Sequence, residues 1–496
     1  MVQIHHSNLS EERVPPHPDR ADSRDRETPG NVGGGSGGGS VDNLSMASNA
    51  SSDRVDSVSA ILPPLDEHNE SEFLRFASIS PPPPDVPDST QRNDLSESMD
   101  MTLPIGELTS DNGVDGEKTT EDIPLDVVKN EDTISEFLHY QKIINTFYQY
   151  RTYALRRVTQ AVAVISRLPA REQELYQSRL RIHRSVRDSI NVNSEFLEKI
   201  AAENSELFVN FDVEAMRRQT SEKVINSETT PTEVELDRLL SVLRVMFRDW
   251  SSAGSTEREA SYRPVLMELE TLFPTREYRD SIQVLVPGAG LARLLFEIAL
   301  LGFTVQGNEF SLLMMFVSNF FLNKCETPNS YQIFPWVHSH VNVMSPSDIL
   351  TPIMVPDVCP RTIETCSTPK RLNYSMAGGD FLEAYASVDN FYDAVVSVFF
   401  LDTARSVVQY LDVIHRILKP GGYFINLGPL LWHYSDIPHD WSVEPSWEEV
   451  RDIMERLGFK FIKERLNHPA SFTQNPKSLM LTEYKCIFFV AQKQST

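Results

Sequence analysis

The chain has 496 residues, 23% of them charged and 40% apolar, and carries a net charge of −24, of which about −16 lies in residues 1–130. No Lys/Arg-rich run accompanies that acidity, which excludes duplex nucleic acid as a partner, and no stretch nears the roughly 18–20 apolar residues of a membrane span. Four scattered cysteines (Cys325, Cys359, Cys366 and Cys486) fit neither a zinc site nor a disulfide framework, and the N-terminus lacks the apolar centre of a signal peptide, so a reduced, cytoplasmic protein is expected, with the nucleus as a second compartment.

Residues 1–125 read as a disordered acidic tail. GGGSGGGS from Gly33 to Ser40 is a flexible linker, PPPPDVP from Pro81 to Pro87 is a polyproline stretch, and large apolar residues are too sparse to offset the entropy of ordering. From about Thr133 the composition changes. Phe137, Tyr140, Ile143, Ile144, Phe147 and Tyr148 recur at helical spacing, and three or so helices are predicted between about 133 and 210. This aromatic stripe is expected in the core, not around a cofactor. A further helix, Val234 to Trp250, follows a Thr-Pro-Thr start signal, and RPVLMELETLF completes a helical region assigned to 131–273 that packs on the domain after it.

Beyond Ser281, short β-branched runs alternate with helical patterns, as in βαβ units with a parallel sheet and helices on both faces. The predicted strands are 282–288, 303–309, 392–400 and 423–429, with 459–466 and 484–492 resembling a closing antiparallel pair. In VLVPGAGLARLLFEIA a strand ends at Val286, the turn runs through Gly288 and Gly290, and a helix is expected from about Leu291. Glycines suit a sharp turn over which a ligand lies closely. Glu309, 21 residues after Gly288, ends the next strand, where a carboxylate can accept both ribose hydroxyls. That arrangement fits a dinucleotide or S-adenosylmethionine, and Ala292 occupies the third glycine position of the motif.

Three later features favour the methyl donor. GGDFLEAY sets Asp380 to read an adenine amino group and Phe381 to cover the ring. YDAVVSVFFLD delivers Asp402 to the C-terminal edge of the sheet, where open α/β sheets bind ligands. HRILKPGGYFINLGP gives a helix, a Lys-Pro-Gly-Gly turn and a fifth strand, a combination familiar from class I methyltransferases. The expected fold is therefore an α/β, Rossmann-like class I methyltransferase domain over 281–496, using S-adenosyl-L-methionine.

Several segments resemble a narrower family, the carnosine N-methyltransferases: RDWSSAGSTEREASYRPVL, VLVPGAGLARL, LGFTVQGNEFSLLMMFVSNFFLN, FPWVHSHVN, GGDFLEAY and INLGPLLWHY. The resemblance covers roughly residues 133–492. It implies methyl transfer to an imidazole nitrogen of a β-alanyl-histidine-type dipeptide, such as carnosine to anserine. It implies Gly288 and Glu309 around the donor, Asp380 and Phe381 at adenine, and Arg248 over the donor's carboxylate. Asp402 and His433 would hold the substrate imidazole, and Tyr484 would add a hydroxyl. Where the family tends to have successive tyrosines this chain reads LTEYKC, and the stretch 356–371 also departs from the pattern.

A neutral imidazole is already a nucleophile toward a sulfonium methyl, so alignment is the main requirement. A carboxylate such as Asp402 can accept the ring N–H, fix the tautomer and stabilise the charge that develops. Asp402 also reads as a helix N-cap, since Asp-Thr precedes a helical run. His433 also reads as a surface histidine after a strand, and Tyr484 as a strand residue at a pocket rim. His338 and His340 alternate as on one strand face without a carboxylate at ligand spacing, so no metal is predicted. Two other functions remain open, a protein or peptide histidine methyltransferase and a silent fold used for binding. A homodimer is the assembly considered.

Overall fold

The computed structural model describes residues 3–4, 125–204, 226–366, 372–435, 437 and 440–495. Of the expected tail at 1–125, only Gln3–Ile4 and Leu125 fall among these; the rest lies outside the described residues. The helices before the sheet are α1 (Leu125–Ser166), α2 (Ala170–Leu175), α3 (Gln177–Asn204), α4 (Glu233–Trp250) and α5 (Ser255–Leu272). Thr232 starts α4 through a capping box, its side chain accepting from the Glu235 amide while the Glu235 carboxylate accepts from the Thr232 amide. Such a cap stabilises a helix by about 1 kcal/mol. On α1 the expected stripe is buried at Phe137, Tyr140, Ile143 and Phe147, but Tyr148 is exposed and Tyr150 takes the inward place.

The strands are β1 (Gln3–Ile4), β2 (Gln283–Pro287), β3 (Thr304–Glu309), β4 (Tyr331–Ile333), β5 (Ile353–Val355), β6 (Tyr374–Gly378), β7 (Tyr392–Val398), β8 (Leu418–Gly428), β9 (Phe459–Ala470) and β10 (Tyr484–Lys493). β4 and β5 make a small two-stranded antiparallel sheet, and the others form one sheet in the order β1-β6-β3-β2-β7-β8-β10-β9. β6, β3, β2, β7 and β8 run parallel. β10 enters antiparallel between β8 and β9, as the expected closing pair. Helices that complete the α/β layers include α6 (Arg293–Leu300), α7 (Leu312–Asn319) and α8 (Val407–Ile417).

Both faces of the sheet are dry, and the strand period of two assigns their residues. Val284 and Val286, Ala394 and Val396, Ile425 and Leu427, and Phe488 and Val490 belong to one apolar cluster, shared with α1, α3, α4 and α5. Leu285, Val395, Phe424 and Phe489 point the other way, into a second cluster with Leu411, Ile414 and Ile417 of α8. The helical region thus shares a core with the sheet, and both fall within one compact unit.

Candidate functional site

The strand order reverses between β2 and β7, and open sheets of this kind bind ligands outside that point. The turn after β2 is built from left-handed residues: Gly288 (φ 62°), Gly290 (φ 54°) and Ala292 (φ 62°). Because Ala292 takes that conformation, the helix begins at Arg293, two residues later than expected from the sequence. A Cβ at Gly288 would lie 2.5 Å from the Phe400 ring after β7, whereas one at Gly290 would meet nothing within 4 Å. The first glycine therefore serves packing across the switch point, and the second faces open space. Glu309 ends β3 and turns back toward this space: its carboxylate accepts the Gly290 N–H at 2.8 Å and the Ser311 N–H at 2.9 Å.

Asp380 follows β6 and caps a single helical turn, accepting from Leu382 and Glu383 amides at 2.8 and 3.3 Å. Phe381 is 3% exposed, with its ring edge-on to Phe400 and Tyr410. It therefore joins the wall behind the glycine turn through Phe400.

Asp402 lies in a short turn after β7, and its carboxylate accepts the Leu431 N–H at 2.8 Å. The N-cap alternative fails: α8 starts at Val407 behind Ser406, four residues on, so Asp402 caps no helix. Its backbone carbonyl accepts the His433 N–H at 3.0 Å, which joins the segments after β7 and β8. Burial raises the Asp402 carboxyl to about 6, against the lowering effect of the Leu431 amide. Burial also lowers His433 to about 4, and both its ring nitrogens are enclosed with no hydrogen-bond partner. The residue as a whole is half-buried, with its ring nitrogens turned inward. Tyr484, at the start of β10, has a phenol raised by burial and by the Asp402 charge, and Cys486 is raised to about 12 by the same two causes. Asp402 thus acts electrostatically on β10 as well as bonding to the segment after β8. Phe399 (φ 55°) and Trp432 (φ 47°), bulky residues in the left-handed region, flank these segments, as strained residues do at functional sites.

Arg248, near the end of α4, is fully enclosed. Its guanidinium lies 4.5 Å from the Phe472 ring centroid, 4.7 Å from Tyr262 and 5.7 Å from Phe399. Burial opposes its charge, but Tyr262, Asp249 and Glu257 more than offset this and raise its basicity. Its Nε has no hydrogen-bond partner, so a buried donor is left for a ligand atom. An orphaned cationic donor, an open face at Gly290 and a carboxylate at the end of β3 fit a zwitterionic amino acid joined to a ribose.

Sequence reasoning missed the frame around this site. Asp357 accepts from Arg258 at 2.8 Å and from Arg293 at 2.6 Å, while Arg258 also donates to the carbonyls of Arg248 and Ser251. Trp250 donates from Nε1 to the Leu291 carbonyl in the glycine turn at 2.9 Å. Arg258 and Tyr262 fall inside the RDWSSAGSTEREASYRPVL segment, a signal that marked the segment without assigning its members. Asp357 belongs to the departing stretch 356–371, where nothing local pointed to a role. His338 donates to or accepts from the Tyr150 hydroxyl at 2.8 Å. Among the described residues no group of three or more His, Cys, Asp or Glu side chains is placed to hold a metal, and no described helix is long and apolar enough to cross a membrane.

The antiparallel β10 set between β8 and β9, the glycine turn and the Glu309 carboxylate define an S-adenosylmethionine-dependent methyltransferase of class I, because a dinucleotide sheet continues parallel to its edge. The profile of the carnosine N-methyltransferase family matches residues 225–495. The mouse carnosine N-methyltransferase is 37% identical over 357 residues, 72% of this chain and 86% of its own. The Drosophila melanogaster relative, carnosine N-methyltransferase unmet, is 34% identical over 394 residues, 76% of this chain and 84% of its own. That of Schizosaccharomyces pombe is 32% identical over 375 residues, 72% of this chain and 96% of its own. The chain belongs to the carnosine N-methyltransferase family.

Proposed function

We propose that this enzyme methylates an imidazole nitrogen of carnosine or a related histidine-containing dipeptide, giving anserine or its counterpart. The observation that carries the reading is Asp402, a buried carboxylate beside a histidine whose ring nitrogens are enclosed and unpartnered. S-adenosylmethionine supplies an electrophilic methyl on a sulfonium. Gly290 leaves room for the donor, Glu309 is suited to its ribose hydroxyls, and Asp380 to the adenine edge, with Phe381 in the wall behind it. Arg248 is suited to the donor's carboxylate through its unpartnered Nε.

At neutral pH Asp402 is ionised, being above its raised value of about 6. It accepts one ring N–H of the substrate and leaves the lone pair of the other nitrogen directed at the methyl. With the donor bound, passage of its methyl from sulfur to the ring nitrogen would leave positive charge on the ring opposite Asp402, which would stabilise that charge and take the proton. His433 stays neutral and offers one ring nitrogen to the substrate, and the Tyr484 hydroxyl supports the same side. Incubation with carnosine, read by mass spectrometry, tests this: a gain of about 14 mass units, abolished by Asp402→Ala, is expected. An inert carnosine alongside a methylated histidine peptide would assign the enzyme to polypeptide substrates instead.

A further inference from the structure

The segment from Ser471 to Glu483 joins β9 to β10 and carries Phe472 at its start, with Tyr484 immediately after its end. Phe472 is 7% exposed and packs against both the Arg248 guanidinium, 4.5 Å away, and the Phe399 ring, 5.0 Å away. What fixes the segment lies on another element. Glu257, in the first turn of α5, accepts the Thr473 N–H at 2.7 Å on one carboxylate oxygen and the Gln474 N–H at 2.8 Å on the other. These two amides directly follow Phe472, so the carboxylate sets where that ring sits. Glu257 is itself 7% exposed. Burial raises its carboxyl, while the two amides and the Arg248 charge lower it.

We propose that Glu257 is a positioning residue for the donor side of the site: by clamping two consecutive amides it presses Phe472 onto Arg248 and sets the direction of the Arg248 guanidinium. The proposal rests on the reading of Arg248 as a donor-binding residue. Among the described residues the side-chain polar contacts of Arg248 are long, 3.4 Å to the Ser261 hydroxyl and 3.6 Å to the Asp249 carboxylate. Its place is therefore determined mainly by the rings around it, and among these Phe472 is supplied by the connecting segment. A fixed Arg fork loses less entropy when it takes a carboxylate. α5 is tied to β9 at two further points, His468 to the Ala260 carbonyl at 2.7 Å and Lys463 to Glu268 at 2.6 Å. The second of these ties supplies a control on the same helix.

Donor affinity by calorimetry and amide exchange in the ligand-free full chain test the idea without turnover. Glu257→Gln, which loses the charge and one of the two acceptors, is expected to weaken S-adenosylmethionine binding about tenfold and to speed exchange at Thr473 and Gln474. Glu268→Gln, which loosens the helix from β9 elsewhere, is expected to leave donor affinity unchanged. Faster exchange with wild-type donor affinity in Glu257→Gln overturns the proposal, as does equal weakening by Glu268→Gln. If Glu257→Gln does not fold, Phe472→Leu decides, because it keeps the clamp and removes the ring; wild-type affinity there also overturns the proposal. Arg248→Ala separates the two readings. If that variant binds the donor normally, the donor role of Arg248 fails; if it binds weakly while both Glu257→Gln and Phe472→Leu bind normally, only the positioning role fails.

Discussion

Asp402 shows what a single side chain gains and loses from its place in the fold. Its carboxyl is raised from 3.8 to about 6, so the folded protein favours the protonated form more than the unfolded chain does. The corresponding stability is complete below about pH 4 and is lost as pH rises through about 6. Asp402→Asn removes this penalty and keeps an oxygen for the Leu431 amide. It is therefore expected to be more stable than wild type by about 1–2 kcal/mol at pH 8, with the gain vanishing toward pH 4, as read from denaturation midpoints. The same substitution should lower kcat by about 10²–10³, the scale for losing a group that stabilises developing charge. In the wild type kcat/KM should fall as pH drops through about 6, because a protonated Asp402 no longer accepts the ring N–H; a kcat/KM that stays flat down to pH 5 would sink that role.

At the scale of the element, the turn between β2 and α6 distributes its duties unevenly. Gly288→Ala places a methyl 2.5 Å from the Phe400 ring and should destabilise the protein by about 2 kcal/mol or more. Gly290→Ala meets no protein atom, so its stability cost is limited to backbone strain of about 1 kcal/mol. Its methyl projects into the open face of the turn, and the expected result is a larger loss in donor affinity, measured by calorimetry, than in melting temperature. Ala292→Gly should stabilise modestly, by up to about 1 kcal/mol, since the native φ of 62° suits glycine. The strands, the glycines and the carboxylate at the end of β3 were legible because periodicity, turn chemistry and spacing are local properties. The start of α6 was not legible. Alanine is the best helix former, and nothing local shows that Ala292 is held left-handed by the turn it closes.

The whole molecule depends on how α4 and α5 dock against the sheet, because Arg248, proposed above to hold the donor's carboxylate, belongs to α4, outside the βαβ domain. Asp357 is the bridge: it joins Arg258 of α5 to Arg293 of α6, and its own amide donates to the Trp250 carbonyl at 2.9 Å. Asp357→Ala leaves the two guanidinium groups facing each other without their shared carboxylate. A loss of about 3 kcal/mol is expected from chemical denaturation, with weaker donor binding even where the protein remains folded. Unchanged donor affinity in a destabilised variant would show that the bridge serves stability alone.

The sequence by itself determined the alternation of strands and helices, the glycine turn with its distant carboxylate, and the strand-end placement of Asp380 and Asp402. Each of these follows from side-chain periodicity or from short-range backbone chemistry. It could not decide whether Asp402 capped a helix or whether His433 faced water. Both depend on the pairing of β7 with β8, which brings residues 402, 431 and 433 together. The environment of Arg248 was equally beyond it, since Tyr262, Phe399 and Phe472 come from three separate elements. Burial decides the charge state of a carboxyl and the freedom of a guanidinium, and burial is a property of the assembled chain.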